Sequence, residues 1–319
     1  VRHPRLSPRA AGLLLGYAAD RLLGDPRRFH PVAGFGTVAA ALEKRLYADS
    51  RPRGTAHTVL LVGAAAGLGI ALEQATARSP VARTAVTALA TWTVLGGCSL
   101  EREATAVQDL LAAGDLPGAR RRLRSLVGRD TSVLDASQVA RAVVESVAEN
   151  TSDAVVAPLV WGAVAGVPGL LAHRAANTLD AMVGHRSPRY ERFGWASARF
   201  DDLLNLPGAR LAGVLAAATS PGRAKAALRA WRRDAGAHPS PNAGVVEASF
   251  AGALGIRLGG TNRYGTRTEH RPVLGDGRPA EPSDIPRTTA LARRVGLGAV
   301  LVAAGVAAAV AAADRCGRR

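Results

Sequence analysis

Charged and apolar positions divide this chain into uncharged stretches separated by short, arginine-rich ones. Residues 295–313 carry no charge and are bracketed by Arg293-Arg294 and Asp314-Arg315. That length is close to the ~20 apolar residues a helix needs to cross a bilayer. Two shorter uncharged runs, 58–72 and 84–100, follow one another and read as a helical hairpin. One such run fits a buried soluble helix equally well, but three in one chain favour a membrane. The pattern predicts an all-α, multi-pass helical membrane protein, with residues 1–319 forming a single domain.

The stretch 154–172 is uncharged too, yet it contains Pro158, Gly162, Gly166, Pro168 and Gly169. Proline removes an amide donor and glycine weakens a helix, so a straight lipid-facing span is not expected there. Irregular backbone at membrane depth is tolerated only against protein or a cavity. This segment is therefore read as broken. It is also read as re-entrant, because a simple crossing would separate the polar blocks on its two sides. A second crossing near 211–220 is the alternative. Residues 263–287, with Pro272, Pro279, Pro282 and Pro286, read as an irregular loop before the last helix.

Composition adds to this picture. Apolar residues make up 48% of the chain but aromatics only 4%, and small side chains suit close helix packing in lipid. The net charge is +16, and the only lysines are Lys44 and Lys225. The arginines are spread over every loop and form no compact stripe, which argues against a nucleic-acid partner. Anionic lipid headgroups and anionic substrates remain. Cys98 and Cys316 fit neither a disulfide framework nor a metal cluster. No small-residue cleavage site follows the basic start, so a removed signal peptide is not expected.

Between 129 and 265 the sequence changes character and forms a polar helical centre. Arg141, Glu145, Glu149 and Asp153 are spaced by four, which puts them on one helix face. Asn150 and Ser146 lie beside them. A solvated face would explain such spacing, but this one runs into the broken segment, where carboxylates are costly and usually functional. After the break, Arg174, Asn177 and Asp180 share a face by their spacing of three. Arg199, Asp201, Asp202, Asn205 and Arg210 follow. Ser240 and Asn242 open a helix that carries Glu247, and residues 259–265, including Tyr264, read as a glycine-rich loop able to present amides to an anion. There is no P-loop, no Gly-x-Gly-x-x-Gly and no His-Glu-x-x-His. Hard oxygen ligands would suit Mg²⁺ better than zinc.

Read together, these blocks resemble the CobD/CbiB family of cobalamin-biosynthesis membrane proteins, the adenosylcobinamide-phosphate synthases. The stretches that carry the resemblance are 20–36 (DRLLGDPRRFHPVAGFG), 129–158 (RDTSVLDASQVARAVVESVAENTSDAVVAP), 174–184 (RAANTLDAMVG), 189–205 (RYERFGWASARFDDLLN) and 240–264 (SPNAGVVEASFAGALGIRLGGTNRY). They occur in order, and the resemblance extends over almost the whole chain from Asp20 to about Gly275. Two departures, His185 in place of an aromatic residue and the order Pro207-Gly208-Ala209-Arg210, remove no charged group.

The resemblance implies a cell-membrane enzyme that joins adenosylcobyric acid to (R)-1-amino-2-propanol, as its O-phosphate, using ATP and Mg²⁺. The partners it implies are the corrinoid, the aminopropanol phosphate, ATP and membrane lipid. A carboxylate does not condense readily with an amine, so ATP-dependent activation and a general base are expected. Glu145, Glu149, Asp153 and Asp180 are the catalytic candidates, with Glu149, Asp153 and Asp180 as Mg²⁺ ligands. Arg141, Asn150, Arg174, Asn177, Arg199, Asp201, Asp202, Arg210, Ser240, Asn242 and Tyr264 are the substrate-binding candidates. Asp20, Asp25 and His30 read either as a loop closing the site or as turn and helix-cap residues. Two rival classes are a non-catalytic AmpE-like regulatory membrane protein and a Mg²⁺-dependent membrane transferase.

Overall fold

The first helices open with a common grammar: an oxygen- or nitrogen-bearing cap followed by proline, whose missing N–H is harmless in the first turn. In the computed structural model, which describes residues 7–25, 30–185, 187–264 and 267–316 without the side chains of 262–269 and 314–316, α1 (Pro8–Leu23) starts where the Ser7 side chain accepts from the Ala10 amide. The His30 ring likewise caps α2 (Pro31–Leu46) through the Val32 amide. This cap role is the one the structure gives His30; the neighbouring residues 26–29 lie outside the described residues. Next come α3 (Arg51–Ala75) and α4 (Pro80–Val94), the latter capped by Ser79. They are followed by α5 (Gly97–Ala112), α6 (Leu116–Leu123) and α7 (Ala136–Thr151). A capping box of Asp135 and Gln138 starts α7. Beyond it lie a π turn (Ser152–Val156), α8 (Ala157–Leu179) and a second π turn (Asp180–Gly184). The chain ends with α9 (Trp195–Ala218), α10 (Ala224–Asp234), α11 (Ala243–Leu254), three strands and α12 (Asp284–Cys316).

The protein is an all-α multi-pass membrane protein. Among the described residues, three helical runs are long and apolar enough to cross a bilayer: Arg51–Ala75, Ala136–Gly184 and Asp284–Ala313. They contain the predicted segments 58–72, 154–172 and 295–313. On α3, Leu60 and Leu68 point outward, as do Leu297 and Leu301 on α12, which suits a surface solvated by lipid rather than water. The predicted span 84–100 is not one helix. Its α4 ends at Val94, Leu95 turns extended (ψ 154°), and α5 starts at Gly97. The Gly96-Gly97 pair, a poor helix continuation, explains the break.

The described chain divides into two compact units, each assembled from separated stretches. The first holds Val1–Gly96, Ala157–Asn205 and Ala299–Arg319. In it, α1 packs on α4 through Gly12 and Gly16, whose missing side chains leave room for Thr87 and Thr91. Both threonine hydroxyls donate to their own helix, Thr87 to the Arg83 carbonyl and Thr91 to that of Thr87. The break expected within 154–172 falls at Gly166, where the backbone leaves helical geometry (φ 69°, ψ −148°). Residues 187–194 are held on α2: Arg189 and the Tyr190 hydroxyl both donate to Glu43 at 3.0 Å. The Arg189 guanidinium lies 4.0 Å from the Tyr47 ring centroid.

The second unit holds Gly97–Val156 and Leu206–Gly298. Every residue of α11 is buried in it. The predicted irregular region 263–287 is partly a sheet, of order β2-β1-β3. In that sheet β1 (Ile256–Tyr264) pairs antiparallel with β2 (Arg267–Leu274) and parallel with β3 (Arg278–Pro279). Prolines misled the sequence reading here. Pro272 lies on an outer strand, where a missing amide donor is tolerated. Buried Asp284 ties β3 to α12, accepting from Arg278 at 2.7 and 2.9 Å and from Arg287 at 2.6 Å.

Candidate functional site

The candidate residues gather in two clusters, one in each unit. In the first unit, α8 and α9 each present a pair of polar residues at i,i+4: His173 with Asn177, and Asp201 with Asn205. His173 Nε2 donates to Asn205 Oδ1 at 2.9 Å, and Asn205 Nδ2 donates to Asp201 Oδ2 at 2.9 Å. Asn177 donates to the other oxygen of Asp201 at 3.4 Å. His173, Asp201 and Asn205 are all buried. Burial, followed by the charge of Asp180, pushes the Asp201 carboxyl up to about 7, although the two asparagines pull it the other way. The next residue, Asp202, is also raised by burial, and the exposed Arg199 opposes this.

Asp180 opens the second π turn, and its carboxylate lies where a side chain on Gly184 would have to go. Arg174 lines a mainly apolar cavity of about 290 Å³ with Phe35, Leu61, Leu68 and Thr178. Asn177 and Asp180, placed on one face by their spacing, are therefore brought together with Asp201, which the spacing did not connect to them. His173 and Asn205 were missed as site residues, although their i,i+4 relation to Asn177 and Asp201 was a usable signal.

In the second unit the chemistry is ionic. Arg129 donates to Glu145 Oε2 at 2.6 Å, and the Gly259 amide donates to Oε1 at 3.0 Å. Arg141 lies 3.7 Å from the same carboxylate and donates to the Gly259 carbonyl. Residues 259–264 are thus strand, not loop, and the anion that meets a glycine amide is the protein's own Glu145. At Gly260 the backbone is left-handed (φ 97°), and a side chain there would strike Arg141.

Glu149 lies within electrostatic reach of Arg271, Glu145 and Arg129. Glu247, on α11, is 1% exposed and lies 3.8 Å from His238 Nε2. Burial first, and then the charges of Glu145 and Glu149, raise its carboxyl well above the usual range. Arg271 also approaches His238 Nε2, at 3.3 Å.

The remaining candidates belong to the same unit. Asn150 donates to the Ser146 carbonyl of its own helix at 2.9 Å. The Ser240 hydroxyl caps α11 by accepting from the Asn242 and Ala243 amides. Arg210 donates to Asn242 Oδ1 at 2.7 Å, so these two are brought together. Asp153 sits in the π turn after α7, and its wider winding takes it off the regular four-residue spacing of Arg141, Glu145 and Glu149. The Tyr264 side chain lies outside the described residues. Arg129 and Arg271 were missed because their partners are distant in sequence.

Among the described residues, no three His, Cys, Asp or Glu side chains are grouped so that they could hold a metal ion. Of the predicted Mg²⁺ ligands, Glu149 and Asp153 belong to the second unit and Asp180 to the first.

The fold and these clusters define a multi-pass helical membrane protein with buried acid, amide and arginine groups. The chain belongs to the CobD/Cbib protein family, whose model matches residues 13–292. It is similar to the cobalamin biosynthesis protein CobD of Mycobacterium tuberculosis, 53% identical over 299 residues, covering 92% of this chain and 95% of that protein. The proteins of the same name from Geobacter metallireducens and Rhodobacter capsulatus are 46% and 43% identical, covering 86% and 92% of this chain and 88% and 96% of those proteins. No solved structure matches the chain. Family membership gives the protein a role in cobalamin biosynthesis.

Proposed function

We propose that this protein is an adenosylcobinamide-phosphate synthase of the cell membrane. In this reading it joins a carboxylate of adenosylcobyric acid to the amine of (R)-1-amino-2-propanol O-phosphate. The observation that carries the proposal is Asp201, a buried carboxyl held near neutrality between two asparagines.

The substrate carboxylate attacks the terminal phosphorus of ATP, releasing ADP and leaving an acyl phosphate. The amine then attacks the acyl carbon, and phosphate leaves with the C–O bond pair. An ammonium cannot attack, so its proton must be removed first. A base with a pKa near the working pH does this best, and Asp201 has that property. The His173–Asn205 chain fixes the orientation of Asp201, while Arg174 brings positive charge to the lining of a cavity in the same unit, where an anionic substrate group would meet it.

Bound Mg²⁺ would neutralise phosphate charge during transfer. Among the described residues, no three His, Cys, Asp or Glu side chains are grouped to hold it. Mg²⁺ is therefore read as entering with ATP, whose phosphates and waters suit it. In the second cluster, Arg129, Arg141 and the Gly259 amide hold Glu145 in place.

The test is purified protein with adenosylcobyric acid, aminopropanol phosphate and MgATP, with the corrinoid product identified by mass. Formation of adenosylcobinamide phosphate supports the proposal. Corrinoid binding without turnover would sink it and favour a regulatory membrane protein.

A further inference from the structure

A helix that breaks inside an apolar span leaves carbonyls and amides without partners, and in lipid each must find one. The break in α8 at Gly166 meets this requirement with two side chains from elsewhere in the first unit. Arg9, in the first turn of α1, donates from Nη1 to the carbonyls of Ala163 and Val164 at 3.2 and 3.1 Å. Glu73, near the end of α3, accepts the Val167 amide at 3.1 Å. The two side chains lie 3.8 Å apart and are 22% and 19% exposed. Any side chain at Gly166 would strike the Glu73 carboxylate and the Arg9 guanidinium. One side chain thus terminates the helix before the break, and the other starts the helix after it.

We infer that Arg9 and Glu73 form a backbone clamp that sets the direction of the second half of α8, and so position the residues it carries. That half bears His173, Arg174 and Asn177 and leads into Asp180. Its heading decides whether His173 meets Asn205 and whether Asn177 meets Asp201. Arg9 and Glu73 touch neither Asp201 nor its asparagines, and they are positioning residues. This inference rests on the reading that the Asp201 cluster performs the chemistry.

A clamp and a simple salt bridge predict different substitution patterns. Glu73→Gln keeps an oxygen that accepts the Val167 amide, so a clamp survives it and a salt bridge does not. The charge swap Arg9→Glu with Glu73→Arg preserves an ion pair but presents an acceptor to carbonyls and a donor to an amide, so a clamp fails. The experiment measures hydrogen exchange over residues 160–172 and the kinetics of amide formation, in detergent-solubilised full-length protein. Glu73→Leu, Arg9→Met and the swap should raise exchange in that segment. They should also lower kcat about a hundredfold with little change in KM, the size expected when reacting groups are misplaced by about an ångström. Glu73→Gln should keep protection and stay within about threefold of wild-type kcat, as a neutral acceptor replaces a charged one.

If the swap restores activity while Glu73→Gln loses it, the clamp is overturned in favour of an ion pair. Increased exchange without a change in kcat would overturn the positioning role. If the wild type makes no product, the proposed reaction fails, and the exchange pattern across the four variants still decides for or against the clamp.

Discussion

The two polar clusters contain similar residue types, yet Glu145 in one and Asp201 in the other are held in opposite ways. In the second unit Glu145 is enclosed by Arg129, Arg141 and the Gly259 amide, and the acids there meet a comparable number of arginines. In the first unit Asp201 receives only neutral amides, with Asp180 as a nearby like charge. A carboxylate surrounded by cations is a strut, since its charge is already spent. One held by amides beside another acid keeps an affinity for protons. Both arrangements need desolvation, but only the second leaves the carboxyl able to exchange a proton near neutral pH, and buried Glu247, raised by Glu145 and Glu149, shows that like charge acts on one acid of the other cluster too.

The comparison breaks first at Asp201. Asp201→Asn should lower amide formation by about 10²–10⁴-fold, the usual contribution of a general base, with helical content unchanged by circular dichroism. Near-normal turnover would remove Asp201 from the mechanism. The counterpart in the other cluster is Arg129→Ala, which strands a buried carboxylate and should destabilise the protein by about 3–5 kcal/mol. Denaturation in detergent measures this, and a shift below about 1 kcal/mol would show that Glu145 is not held as a strut.

A smaller effect sharpens the contrast through pH. Asp201 must be ionised to accept a proton, so turnover should fall as pH drops through about 7. The Asn205 hydrogen bond favours the ionised form, and Asn205→Leu should move that acidic limb to higher pH. A limb that stays in place would assign it to another group. Stability should follow the linked sign. Because the folded pKa is raised, the contribution of Asp201 is full below the ordinary carboxylate range and is lost as pH rises through about 7.

The smallest expected effect lies outside both clusters. Asp234 accepts from Arg233 at 2.6 Å and from the Gly275 amide at 2.8 Å, and its pKa is lowered chiefly by the arginine. Asp234→Asn should cause a slight loss of thermal stability at neutral pH. That difference should fade as acid protonates the wild-type carboxyl below its ordinary range.

Local periodicity made much of the fold legible. The apolar runs located α3 and α12, and the glycines and prolines of 154–172 announced the break at Gly166. The same reasoning failed at 84–100, where a charge-free run hid a change of direction at Leu95. It failed again at 256–274, where prolines and glycines disguised paired strands. Within the site, spacing identified Asn177 with Asp180 and the face of Glu145 and Glu149. The distribution of these residues over two units was not legible, because it depends on partners such as Arg129, Gly259 and Arg271 that no local window connects to them.

The contact of Gly12 and Gly16 with Thr87 and Thr91 has a consequence for how this protein tolerates mutation. The two backbones approach so closely here that α1 and α4 depend on the absence of side chains at Gly12 and Gly16 rather than on bulk at those positions. Even the single methyl of an alanine at Gly12 or Gly16 would collide with a threonine or its helix backbone. A substitution that appears conservative by chemistry is therefore severe by shape. The scarcity of aromatic rings belongs to the same strategy, in which fit at short range replaces bulk as the source of cohesion.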